Sequence, residues 1–206
     1  MFKTFKNAFK IPELRSKILF TLFIIILYRI GSVIPVPFTN VGELGAAYSQ
    51  TGILTYLSML SGSAFAQGTL FALGVSPYIT AQIVIQLLTI AIPALERLAQ
   101  NGEDGRKKIN KITRYVTVLL SVITGIGYYL IMENQYGLVK KGYDNAFGII
   151  VIIACYVAGA SIVMWLGEKI DEQGIGNGIS IVLVINIISR LPQDLGNLFQ
   201  QFVFGK

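Results

Sequence analysis

The chain has 206 residues, of which 53% are hydrophobic and 14% charged, with a net charge of +6 and a mean hydropathy of +0.64. Soluble domains carry about 25% charged residues, so this composition places the chain in the membrane class, where spans rather than domains are the useful count. A single cysteine, Cys155, and no histidine exclude an internal disulfide and remove the favoured ligands of zinc and haem, so neither metal nor cofactor is expected.

Residues 1–17 hold Lys3, Lys6, Lys10, Arg15 and Lys17 and read as a cytoplasmic N-terminus under the positive-inside bias. The first apolar run, 18–34, ends in GSVIPVP without an A-x-A cleavage pattern. It reads as an anchored span rather than a signal peptide. Arg29 lies toward its outer end and is expected to snorkel. Next comes a weakly apolar stretch, 53–72, that contains SGSAFAQGT, and Gly74, Ser76 and Pro77 separate it from a second apolar run ending at Ile92.

That second run is short. A helix over 77–92 rises about 24 Å at roughly 1.5 Å per residue, against a hydrocarbon core of about 30 Å. Non-helical backbone at membrane depth is tolerated only when it is buried in protein or lines water. The weak stretch is therefore expected to dip into the membrane and return. The alternative is an extracellular loop with a short helix.

The stretch 94–114 holds Arg97, Arg106, Lys107, Lys108, Lys111 and Arg114 and reads as a cytoplasmic loop. A third run covers 115–131 and a fourth 146–166. The fifth, 175–191, is solidly apolar only over ISIVLVINII. Its entry, GIGNGIS, lacks the spacing of a dinucleotide loop because position 179 is Ile. Asn177 there reads as a helix N-cap.

The two short helices share a pattern. Val75, Ile79, Gln82 and Gln86 fall on one helical stripe, as do Ile179, Leu183, Asn186 and Arg190. Each stripe carries two aliphatics and then two polar residues, and the helices are expected to run in opposite directions. They would line an hourglass, apolar at the waist and polar in both mouths. Ordinary helix packing, with the polar residues bonded to neighbouring helices, is the other reading.

RIGSVIPVP, LSGSAFAQGTLFALGVSPYITAQIVIQLL, NGEDGRKKINKITRY and MWLGEKIDEQGIGNGISI closely resemble the bacterial protein translocase family SecY, in the family's order and over nearly the whole chain. The resemblance implies an all-α polytopic membrane protein: five transmembrane helices plus a short re-entrant plug helix, forming one half of an inverted-repeat channel. The plug maps onto 53–67, including Ser61, Gly62, Ser63, Ala64, Phe65, Ala66 and Gln67. The pore ring maps onto Val75, Ile79, Ile179 and Leu183, where Ile is more usual at the first and last. Helix two, 75–92, becomes one wall of a lateral gate, with Thr80, Ile83 and Gln86 on it, and Arg106, Lys107 and Lys108 mark a cytoplasmic loop.

The implied function is passage of unfolded secretory polypeptides and sideways release of membrane proteins, without catalysis. The implied partners are SecE and SecG, the SecA motor or a ribosome, signal sequences, the bilayer of a bacterial plasma membrane, and a C-terminal half. Two other readings stand beside it. A secondary transporter half would use the broken helix as its substrate site, but no carboxylate lies at depth in helices two and five. A self-associating half-channel would serve as a scaffold.

Overall fold

The computed structural model describes residues 11–39, 61, 64, 67–137, 139 and 145–204. Helix α1 spans Pro12–Gly31, α2 Ser76–Ala91, α3 Pro93–Gln100, α4 Gly102–Tyr136, α5 Ala146–Gln173 and α6 Gly178–Phe204. Among the described residues there is no β-strand, only two isolated bridges, Pro35 with Thr69 and Thr39 with Val139. The expected all-α class stands at that level. Among the described residues two helices, α4 and α5, are long and apolar enough to cross a membrane, and a third span arises if α2 and α3 count as one bent segment.

Each boundary has a local cause. Proline opens α1, and Glu13 sits in its first turn, where a missing N–H costs nothing and negative charge suits the helix dipole. The helix therefore begins before the expected residue 18, since Arg15 and Lys17 oppose burial in lipid but not helix formation. It stops at Gly31, short of the expected 34, because Ile34 precedes Pro35 and is pushed to extended backbone. The chain then pairs with the approach to α2: Leu70 N donates to Ile34 O at 2.9 Å, and Val36 N to Gly68 O at 3.2 Å.

Helix α2 ends where Ile92, preceding Pro93, adopts φ −110° and ψ 112°, and α3 leaves at a bend of 102°. At 16 residues α2 is about 24 Å long. The basic stretch 94–114, expected as a loop, is helical in α3 and in the first turns of α4. Lys and Arg are good helix formers, and Glu103 and Asp104 in the first turn of α4 suit the positive end of its dipole. Cationic charge opposes burial in lipid without unwinding a helix. At the far end, Gly137 takes the left-handed conformation (φ 58°) and its N–H caps Glu133 O and Met132 O.

Helices α5 and α6 likewise outrun the expected 146–166 and 175–191. Helix α5 continues through GEKIDEQ, and α6 passes through Pro192 to Phe204. A proline removes one backbone bond and costs stability, yet the helix tolerates it at this position.

Helix α4 packs on α2 and α5, while α5 also meets α1 and α6. Two apolar cores result. One holds Val36, Leu73, Tyr128, Met132, Ile152 and Tyr156, with Tyr128 and Tyr156 edge to face at 5.0 Å. The other lies between α1, α5, α6 and the foot of α2. Within lipid, such contacts stabilise by close packing rather than by water exclusion.

Gly159 of α5 marks the tightest approach to the irregular segment, because a Cβ there would lie 1.9 Å from the Leu70 carbonyl oxygen. Gly159→Ala should therefore lower the thermal midpoint, by an overpacking cost of about 1–3 kcal/mol. Gly127→Ala on α4 meets nothing within 4 Å and should be neutral or stabilising by up to about 1 kcal/mol. Thermal unfolding in detergent compares them; equal melting of the two variants would contradict the packing assignment.

Candidate functional site

The segment before α2 sets the site. Phe71 is buried and stacks on Tyr28 of α1, with ring centroids 5.4 Å apart and planes at 18°. Gly31 admits that ring: a Cβ at 31 would stand 2.2 Å from it. Gly74 then turns the chain at φ +56°, a conformation that glycine adopts without steric cost. Val75 follows at the foot of α2, and Ile79 N donates to Val75 O at 3.0 Å, which places Ile79 one turn along.

From the other side, α6 starts in a tightly determined turn. Asp171 Oδ1 accepts from Gly178 N at 2.7 Å, and Asn177 Oδ1 accepts from Ser180 N at 3.0 Å. The expected Asn177 cap is thus present, reinforced by a carboxylate at the helix N-terminus. Gly178 lies against the Gly167 carbonyl, and Gly167 in turn leaves room for the Ile179 side chain, whose Cδ1 is 2.6 Å from where a Cβ at 167 would stand. Two glycines therefore bring α6 close to α5 at the level of Ile179.

The result is one apolar cluster holding Val75, Ile79, Ile179 and Leu183, together with Ile24, Phe71, Val163 and Leu166. Val75 and Ile179 are buried, while Ile79 and Leu183 are half-buried at its edge. None of the four carries a charge or a hydrogen-bonding side chain. A constriction of such side chains gates by dewetting.

The other candidates are more dispersed. Ser61 and Ala64 are buried and Gln67 is exposed, whereas Gly62, Ser63, Phe65 and Ala66 lie outside the described residues. A cavity of about 270 Å³ separates Ser61 and residues 72–77 from Thr124, Gly127, Tyr128 and Ile131 of α4. Thr80, Ile83 and Gln86 are all exposed on α2, and Arg106, Lys107 and Lys108 are exposed on α4. Among the described residues no three His, Cys, Asp or Glu side chains gather to hold a metal ion.

The polar half of the α6 stripe differs from expectation. Asn186 is fully buried within this chain beside the Tyr28 hydroxyl of α1, so it does not face outward from the stripe. Burying an amide among helices is costly unless it is paired. Arg29 also turns toward α6 and donates to the Ile185 carbonyl instead of snorkelling away. On α2, Gln82 is half-buried and Gln86 exposed; the Arg190 side chain lies outside the described residues.

Sequence reasoning missed three polar ties. Arg114 of α4 and Glu168 of α5 form a two-pronged pair, Nε to Oε1 at 2.9 Å and Nη2 to Oε2 at 2.8 Å. Thr21 Oγ1 accepts from Ile175 N at 3.2 Å, joining α1 to the turn before α6. Asp171 is the third. Opposite charges at the same end of neighbouring apolar runs were the available signal for the first; no local pattern marks Thr21. The Glu168 side chain is 13% exposed and that of Arg114 50%. Arg114→Ala should therefore cost about 1–2 kcal/mol, less than the roughly 3–5 of a fully buried broken pair. A double-mutant cycle with Glu168→Gln, read by thermal unfolding, checks this; additive effects would contradict it.

The comparisons with known proteins agree on one family. The SecY family model matches residues 69–205. The chain is 45% identical to protein translocase subunit SecY 1 of Lactobacillus kefiranofaciens subsp. kefiranofaciens, covering 100% of this chain and 48% of that protein. It is 39% identical to protein translocase subunit SecY of Bacillus subtilis (strain 168), over 98% of this chain and 47% of that protein. The chain thus spans about half the length of the curated relatives it matches. Among solved structures, Sec61 in the canine ribosome-channel complex from the endoplasmic reticulum superposes with a TM-score of 0.59 at 20% identity, covering 96% of this chain and 42% of that one. A structure described as that of a protein-conducting channel gives 0.58, also at 20% identity, over 96% and 42%. A third is described as showing that the SecY plug domain stabilises the closed state of the channel and maintains a membrane seal; it gives 0.55 at 19% identity, over 96% and 41%. At these identities the structural likeness speaks for the fold.

Proposed function

The chain belongs to the SecY family, and on that premise we propose that it forms one half of a protein-conducting channel, its α2 and α6 supplying half of the pore ring. The observation that carries this reading is the convergence of Val75, Ile79, Ile179 and Leu183 in one uncharged apolar cluster. Such a ring resists ions because no fixed dipole or charge replaces their water, and it yields sideways to an unfolded polypeptide. The channel does no covalent chemistry, and its driving energy comes from a partner.

The remaining parts follow the same reading. Five transmembrane helices correspond to α1, the bent α2, α4, α5 and the first part of α6, with residues 53–67 as the plug. A C-terminal half completes the ring and faces the exposed side of α2, where Thr80, Ile83 and Gln86 stand at a lateral gate for signal sequences. SecE and SecG are its membrane partners, and SecA or a ribosome delivers the polypeptide. The exposed cations Arg106, Lys107 and Lys108 support a plasma-membrane topology with the N-terminus in the cytoplasm. A cysteine at Lys108 should escape an impermeant thiol reagent in intact cells, while one at Asn145 should label; the reverse pattern would invert the topology.

The ring itself is tested by polarity. Ile79→Asn with Leu183→Asn, in the complete channel, should raise resting ion current severalfold and relax rejection of weak signal sequences. Val84→Asn adds the same amide to an exposed position on another face of α2. Planar-bilayer conductance separates the two. Equal leak from both variants would mean that the amide acts by loosening the helix rather than by wetting a ring.

A further inference from the structure

Three of the five residues 174–178 that carry the chain from α5 into α6 are glycine, so this turn has little stiffness of its own. Yet Ile179, a buried member of the apolar cluster, follows it at once. The turn is fixed from outside at two places. Ile175 N donates to Thr21 Oγ1 of α1 at 3.2 Å, and Gly174 leaves room for that hydroxyl, which would stand 2.7 Å from a Cβ at 174. Gly178 N donates to Oδ1 of Asp171, in the last turn of α5, at 2.7 Å. Between these two ties Gly176 takes φ +72°.

The bonds at the start of α6 are of two kinds. Asn177 Oδ1 accepts from Ser180 N at 3.0 Å, and Asn177 O accepts from Ile181 N at 3.0 Å. Both join the helix to its own N-cap residue and travel with it. Gly178 is the first residue of α6, so its N–H has no partner within the helix. The Asp171 carboxylate supplies one through a charge-assisted bond, and that bond ties α6 to α5. The two backbones touch here, because a Cβ at 178 would collide with the Gly167 carbonyl. Gly167 in turn is the notch that receives Ile179, whose Cδ1 lies 2.6 Å from where a Cβ at 167 would stand. A slide of α6 along α5 therefore moves Ile179 out of its notch.

We propose that Asp171 is a positioning residue for the pore ring: its bond to Gly178 N sets the height of α6 on α5, and so the level at which Ile179 and Leu183 meet Val75 and Ile79. This rests on the ring reading of those four residues. Asp171 is exposed and stands outside the apolar cluster; it acts only through the placement of Ile179.

The test uses the complete channel, in planar bilayers and in a secretion assay. Asp171→Ala removes the tie, and it should raise resting ion current by about fivefold, the ratio that corresponds to one hydrogen bond, and admit weak signal sequences. Asp171→Asn keeps an oxygen acceptor on the same stem and should restore both to wild type. Asn177→Ala loosens the same helix end without touching the tie; it should lower the thermal midpoint while the resting current stays at the wild-type level. If Asp171→Ala is as tight as wild type while Ile79→Asn with Leu183→Asn leaks, the positioning role is wrong and the ring stands. Equal leak from Asn177→Ala would assign the effect to fraying of α6 and overturn the role. Leak from Asp171→Asn equal to that from Asp171→Ala would assign it to charge and also overturn the role. If the ring double variant does not leak, the ring reading fails, and the positioning role with it.

Discussion

Backbone polar groups inside a hydrocarbon layer must find partners within the protein, and the rest of this structure is arranged around that demand at residues 67–75. That segment is neither helix nor strand, yet its carbonyls and amides are bonded to each other and to the chain after α1: Leu70 N to Ile34 O, Val36 N to Gly68 O, Gly74 N to Phe71 O at 2.8 Å. The flanking helices enclose it. Gly31 and Gly159 have no side chain because an aromatic ring and a carbonyl occupy those places. A plain apolar helix would need none of this, and it would also have no short second helix and no glycine elbow ahead of Val75.

The same economy explains the contact of α1 with α6. Beside their shared apolar core, Thr21 with Ile175, in the turn before α6, and Arg29 with Ile185 form polar points between them. In lipid, polar contacts between helices are worth about 0.6 to 2 kcal/mol each, enough together to fix the rotation of α6. That rotation decides which residues of α6 enter the cluster with Val75 and Ile79. Ile179 and Leu183 do so, while Asn186 turns inward to α1.

Much of the site was legible beforehand because the aliphatic stripes follow helical periodicity and the breaker is written in Gly and Pro. Their meeting at one waist was among the expectations, but how it is reached was not legible, since it depends on Gly167 and Gly178, whose role appears only when two helices meet. The basic 94–114 stretch was misread as a loop because charge reports where a segment stands relative to lipid, not its backbone. The ends of α1, α5 and α6 shifted for the same reason: hydropathy stops where lipid stops, and a helix does not have to. Asn186 was misassigned because a stripe gives a direction about the helix axis but does not say which neighbour waits there.

Contact between the aliphatic cluster and a passing polypeptide tests the account at its centre. A secretory chain stalled midway through the complete channel, with one cysteine at the level of the waist, can be oxidised against single cysteines on α2, α5 and α6. Disulfides should form at positions 79 and 183 and be absent at Val84 of α2 and Ile150 of α5, both of which are exposed on other faces. Crosslinking at 84 or 150 equal to that at 79 and 183 would contradict a path through the cluster.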